Sequence, residues 1–203
     1  MQAKELHNKF KFKCKRAAYC CDRPMISITP FDIKVICNRL EILTQEFHQR
    51  YSFFTVDEFG IPRCFIQNKP HCPFKIDNTC TIYTSRPLRC RLYPVGRVFE
   101  GEDIFYVVSE VHCPGFESDK KLSIGEWLED QGVHEYDDVA IAWNRFLIKL
   151  KDQPLTEEQG KQFKEIFYYF NPVQQDHDQN LVKFMNSLYE QYNETNDTLK
   201  SPS

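Results

Sequence analysis

Cys72-Pro73-Phe74, then Cys80-Thr81-Ile82-Tyr83, then Arg86-Pro87-Leu88-Arg89-Cys90-Arg91-Leu92-Tyr93-Pro94, is the stretch whose reading decides the fold. Its thiols are preceded by Phe12-Lys13-Cys14-Lys15-Arg16-Ala17-Ala18-Tyr19-Cys20-Cys21 and followed by Cys113-Pro114-Gly115. All nine cysteines lie at or before position 113. Soft donors scattered over distant segments suit a site on which several thiolates converge while the intervening chain folds around them. The expected class is α+β: a cysteine-rich metal-binding domain with short hairpins and an N-terminal helix, followed by a helical C-terminal half. Three segments are expected: a cysteine-rich region over 1–117, a helical extension packed on it over 118–192, and a disordered tail over 193–203.

Composition narrows the chemistry. A net charge of -3 gives no global field for polyanions, so Lys11, Lys13, Lys15 and Arg16 read as a solvated basic segment and nucleic acid is not an expected partner. The start, Met1-Gln2-Ala3-Lys4-Glu5-Leu6-His7, lacks the apolar core of a signal peptide, and no stretch is long and apolar enough for a membrane span. A cytoplasmic, reducing setting is therefore expected. There, an odd count of nine cysteines argues for metal or redox chemistry over a disulfide framework. The 17 Phe and 10 Tyr supply apolar area to pack around a site that brings little hydrocarbon of its own.

Local signals place the cysteines on elements. Thr29, Pro30 and Asp32 read as N-cap, first helical residue and first-turn acid of a helix running to about His48. Cys37 falls on its apolar face and reads as a small core residue. Phe53 to Val56 and Cys64 to Ile66 flank Asp57-Glu58-Phe59-Gly60 as a hairpin. A second hairpin, Arg97 to Phe99 against Ile104 to Val108, would bring the chain back so that Cys90 and Cys113 face one site from its two ends. Ser123 with Glu126 and Thr156 with Gln159 have capping-box spacing. Helices are expected near 123–131, 136–151, 156–170 and 178–192.

The cysteine spacing does not resemble a zinc ribbon. After Cys21 the steps are 16, 27, 8, 8, 10 and 23 positions, whereas zinc knuckles pair cysteines two to four residues apart. Cys72-Pro73 and Cys113-Pro114 also carry the Cys-Pro pairing of bacterial ferredoxins. An iron-sulfur cluster is the first expected cofactor, with a zinc or iron ion as the alternative. On an extended backbone Cys20 and Cys21 would project apart, so one would ligate while the other packs, reacts or serves a second metal.

These motifs resemble the zinc- or iron-chelating family named for a CxxCxxCC motif. The residues that carry the resemblance are Phe12, Cys14, Cys20, Cys21, Asp32, Cys72 to Phe74, Cys80, Ile82, Tyr83, Arg86, Pro87, Cys90, Arg91, Tyr93, Pro94 and Cys113 to Gly115. Ala17 and Ala18 stand where the family pattern has a cysteine and a glycine. The resemblance implies a ligand set of Cys14, Cys20, Cys21, Cys72, Cys80, Cys90 and Cys113, with Cys64, His71 or His112 as candidate extra donors. It extends to the cysteine-rich region of a flagellin lysine N-methylase, which implies an S-adenosylmethionine-dependent enzyme as an alternative. With seven glycines and no Gly-rich strand-to-helix turn, the residues give that reading little support. Other readings are a thiol-redox or metal-delivery protein, with Arg16 and Arg23 activating the Cys20-Cys21 pair, and a zinc-stabilised module that binds a protein partner. Arg86, Arg89 and Arg91 read either as counter-charges to thiolates or, for Arg86, as the partner of a buried carboxylate such as Asp32 or Asp77.

Overall fold

The computed structural model describes residues 5–22, 25–67, 70–100, 103–109, 113–172 and 180–200, the last four as backbone only. Arg23, His112, the 101–102 turn and the expected helix start at Asp178 lie outside the described residues. The chain is α+β, and it divides into two compact units: Met1–Ile26 with Gln67–Asp137, and Ser27–Ile66 with Asp138–Ser203. Among the described residues no helix is long and apolar enough to cross a membrane.

The first unit is built from short pieces. Strand β1 (Lys9–Lys11) pairs antiparallel with β9 (Lys121–Ser123), with Phe10 opposite Leu122. Its continuation is held by Phe12 N–H to the Lys120 carbonyl and Lys13 N–H to the Gly115 carbonyl, both 3.0 Å. Phe12 is thereby buried, its ring edge-on to Phe116 at 5.0 Å and to Trp127 at 5.2 Å. Gly115 is needed beside it, because a Cβ there would lie 2.4 Å from the Phe12 ring. Helix α4 (Ile124–Asp130) opens on the expected Ser123–Glu126 capping box, and Trp127 donates its indole N–H to the Leu92 carbonyl at 2.9 Å. Strands β7 (Val95–Glu100) and β8 (Asp103–Val108) form the expected second hairpin, closed by Ser109 N–H to the Pro94 carbonyl at 2.9 Å.

In the second unit Thr29 and Asp32 form a full capping box at the start of α1 (Pro30–Leu40). This helix stops short of His48. Glu41 takes a left-handed conformation at φ 59° and its N–H returns to the Cys37 carbonyl, so a separate α2 (Thr44–Tyr51) follows. Strands β2 (Ser27–Ile28), β3 (Ser52–Val56) and β4 (Pro62–Ile66) make one antiparallel sheet in the order β2-β4-β3. Thr156 and Gln159 cap α6 (Glu157–Tyr168) as expected. Helix α5 (His134–Lys151) enters this unit after Asp137, and α7 (Leu181–Lys200) continues past the expected end at Tyr192. The core is aromatic: Phe163 and Phe167 are wholly buried, with ring centroids 4.7 Å apart and Trp143 at 5.9 and 5.1 Å from them.

Candidate metal centre

Every cysteine of the expected ligand set belongs to the first unit, and none of the nine cysteines forms a disulfide. Four of the set are neighbours. The Cys21 thiol makes side-chain hydrogen bonds to Cys20, Cys72 and Cys80, and these bonds, with burial, push its pKa up. The same contacts act oppositely on its neighbours. Cys72 is lowered by its bond to Cys21, and Cys80 is lowered to about 7 by its bond to Cys21, the Ile82 backbone and the Arg86 guanidinium. Neighbouring thiols of which Cys72 and Cys80 are shifted toward the thiolate are chemically prepared to exchange protons for a soft cation.

Backbone geometry explains why these four converge. Cys20 and Cys21 sit in a 3-10 turn, Tyr19–Asp22, closed by Cys21 N–H to the Ala18 carbonyl at 2.9 Å. On this tight turn both thiols reach the same cluster, unlike the divergence expected for an extended backbone. Ala18 holds a left-handed φ of 50° where the family pattern has glycine, so the turn is kept without the residue that adopts it most easily. The turn then docks through Cys72 N–H to the Cys21 carbonyl at 3.3 Å and through Lys75 Nζ to Asp22 at 2.7 and 2.8 Å.

Cys72 and Cys80 are brought together by a hairpin that sequence reasoning missed. Strands β5 (Lys75–Ile76) and β6 (Thr79–Cys80) are joined by Asp77 and Asn78, both left-handed at φ 47° and 57°. Two consecutive positive φ values define a two-residue type I′ loop, and Asp-Asn is a pair that tolerates it. That dipeptide was the available signal.

The remaining candidates lie around Arg86 and Tyr83. Cys14 is exposed and bonds to Tyr83, while Cys14 and Cys90 both act on the Arg86 charge. The Lys13–Gly115 backbone bond brings the Cys113-Pro114-Gly115 turn beside the segment after β1 that carries Cys14. Cys113 Sγ itself accepts from Gly115 N–H at 3.5 Å. The β7–β8 hairpin returns the backbone as expected, Pro94 and Ser109 being bonded. A cleft of about 610 Å³ opens here, walled by Cys14, Arg16, Tyr83, Arg86, Lys120 and Trp127. Among the described residues no group of three or more His, Cys, Asp or Glu side chains is arranged to hold a metal ion.

The other sequence candidates resolve differently. Cys37 and Cys64 belong to the second unit, where burial raises each to about 12 and keeps it protonated. Cys64 faces His48 Nδ1 at 3.9 Å. His71 is exposed. Asp32 caps α1, and Arg86 bonds to no carboxylate among the described residues: its guanidinium donates to the Tyr83 carbonyl and to Gln131 Oε1, and lies 3.8 Å over the Tyr83 ring. A neutral amide, rather than Asp32 or Asp77, holds that arginine. Arg89 is exposed, whereas Arg91 is buried. In the basic N-terminal segment Lys11 pairs with Asp119 at 3.1 Å and Lys15 with Glu117 at 3.3 Å.

A cysteine-rich unit whose short turns and hairpins serve to gather thiols defines a metal-chelating protein. The model of the CxxCxxCC family, described as a putative zinc- or iron-chelating domain, matches residues 13–114, and the chain belongs to that family. Read against the family's own name, Cys14, Cys20 and Cys21 fill three of the four motif positions and Ala17 occupies the second. No curated protein and no solved structure matches the chain significantly.

Proposed function

We propose that the first unit holds one metal ion on Cys20, Cys21, Cys72 and Cys80, with Cys14, Cys90 and Cys113 as flanking thiols, of which Cys14 borders the cleft. The observation that carries this reading is the docking of the Cys20–Cys21 turn on the Cys72 segment, through Cys72 N–H to the Cys21 carbonyl at 3.3 Å, within the stretch matched by the chelating-family model. The family's description as zinc- or iron-chelating favours a single zinc or iron ion held by four thiolates. The residues therefore suit an ion that, when bound, supplies cross-linking of three segments and a soft-metal store.

An iron-sulfur cluster is the second reading, supported by the unpaired cysteine spacing and the two Cys-Pro steps. A cytoplasmic location goes with either reading, because thiols stay reduced there.

Anaerobic purification with zinc, iron and sulfide analysis per chain separates the two. One zinc or iron without sulfide, lost in a Cys21→Ser variant and kept in Cys37→Ser, is the expected result. Iron with stoichiometric sulfide and a broad visible band would replace the single ion by a cluster. Full metal content in Cys21→Ser would remove the four-thiol assignment.

A further inference from the structure

The cleft of about 610 Å³ in the first unit is lined by five basic side chains, Lys13, Arg16, Arg86, Arg91 and Lys120, against two acidic ones, Asp130 and Glu135. The two signs sit at different depths. Arg86 and Arg91 are 8% and 9% exposed, whereas Asp130 and Glu135 are exposed and screened by water. Asp130 is also engaged elsewhere, its Oδ2 accepting from Gln131 Nε2 at 2.7 Å. Among the described residues neither acid forms an ion pair with any of the five cations. The same unit does pair its basic side chains outside the cleft: Lys11 with Asp119, Lys15 with Glu117, and Arg97 with Asp137. Lys13 lies between the first two lysines in sequence, lines the cleft, and forms no such pair among the described residues.

Neutral groups hold the cations together. The centre of the Tyr83 ring is 3.8 Å from the guanidinium carbon of Arg86 and 4.6 Å from that of Arg16. Arg91 donates Nε to the Arg86 carbonyl and Nη1 to the Gln131 carbonyl, each at 3.2 Å, and Arg86 donates to Gln131 Oε1. A ring, two carbonyls and an amide fix the positions of three guanidinium groups and cancel none of their charge. Like charges gathered at low exposure repel one another and lose hydration, a cost that an anion placed among them offsets. Guanidinium forks match oxyanions that present two oxygens in one plane, and lysines add charge without that directionality. The volume is that of a small-molecule site.

We infer that this cleft is a binding site for a small oxyanion carrying two or more negative charges, a phosphate or a dicarboxylate, with Arg86 and Arg91 at its floor and Lys13, Arg16 and Lys120 at its rim. Asp130 and Glu135 oppose binding from the rim. The inference goes beyond the metal reading and needs no ion on the thiols.

The test follows the two indole N–H resonances of the full chain at constant ionic strength as inorganic phosphate, or in a second titration succinate, replaces chloride. Trp127 lines the cleft, and Trp143 in the second unit is the internal control. A saturable shift of Trp127 with Trp143 unmoved is the expected result. Lys13→Gln and Arg16→Gln should each weaken binding about threefold, Glu135→Gln should tighten it by about the same factor, and Lys15→Gln, whose lysine pairs with Glu117 outside the cleft, should leave it unchanged. All four substitutions fall on exposed residues, so each variant keeps its fold. Saturation by phosphate alone assigns a phosphate group, by succinate alone a dicarboxylate, and by both the dianionic pair of oxygens they share. An unsaturated drift of both indoles, no shift of Trp127, or a Lys15→Gln variant weakened as much as Lys13→Gln overturns the inference. Each of those results leaves the metal content per chain, and with it the metal reading, untouched.

Discussion

The two units bury different kinds of atoms. The second is closed by rings: Phe146, Phe163, Phe167, Trp143, Tyr189 and Tyr192 lie within contact of one another, with Phe146 4.9 Å from Tyr189 and Phe163 5.8 Å from Tyr192. The first combines an aromatic cluster around Phe12 and aliphatic residues such as Ile82, Leu92, Val95 and Leu128 with two buried arginines, a buried glutamine and the thiols of Cys21 and Cys72. Hydrocarbon burial stabilises both units, and the first in addition encloses charged and soft polar groups. Cysteine chemistry also differs: burial holds Cys37 and Cys64 near 12 in the second unit, whereas in the first Cys21 is raised while Cys72 is lowered and Cys80 falls to about 7.

The sharpest way to break this contrast is inside the ring cluster. Phe163→Ala should cost ~3–5 kcal/mol in denaturant unfolding of the second unit, because it empties a wholly buried site, and should leave metal stoichiometry unchanged. Loss of metal in that variant would show that the units do not divide their labour as described.

A pH titration sharpens it next. His48 is buried between Ser52 Oγ at 2.7 Å and the Tyr168 carbonyl at 2.8 Å. A carbonyl only accepts, so Nε2 carries the proton and Nδ1 accepts from the Ser52 hydroxyl. Burial lowers its pKa from 6.5 to about 4; Lys164 adds to the drop and the Tyr168 contact opposes it. The unfolded chain therefore binds more protons between those values. The His48 contribution is complete above about 6.5 and falls away as pH drops toward 4, by ~3 kcal/mol over the window. His48→Gln should flatten that part of the second unit's pH–stability curve; an unaltered slope would place the titration elsewhere.

Smaller effects belong to the first unit's backbone. Gly115→Ala must displace the Phe12 ring and the Lys13 carbonyl, 2.4 and 3.0 Å from the added Cβ, and should cost ~1–3 kcal/mol in thermal unfolding. Ala18→Gly should raise stability by about 0.5–1 kcal/mol, since the residue already holds φ 50°. A destabilised Ala18→Gly would mean that its buried methyl group, not its backbone, sets the turn.

Signals contained within a few residues were legible in the sequence. The Thr29–Asp32, Ser123–Glu126 and Thr156–Gln159 boxes each start the helix they announce, and the hairpin across Asp57–Gly60 forms as its alternation implies. What failed depended on a partner elsewhere in the chain. The apolar stripe from Ile33 to Phe47 runs through the break at Glu41, because periodicity does not report a left-handed cap. The β1–β9 pairing joins segments more than a hundred positions apart with no local mark. The thiols were legible as a set, but their grouping was not: Cys20 and Cys21 share a cluster only because Ala18 bends the chain into a 3-10 turn, and Arg86 meets Gln131 only after α4 has packed.

Amide hydrogen exchange of the full chain, before and after removal of bound metal by a strong chelator under anaerobic conditions, tests the central claim most directly. The account predicts that protection collapses at Lys13, Cys21, Cys72 and Thr81, whose N–H groups lie in the thiol-gathering turns, while Phe163 and Phe167 in the aromatic core of the second unit keep theirs. Equal protection in both units after metal removal, or no metal to remove, would contradict it.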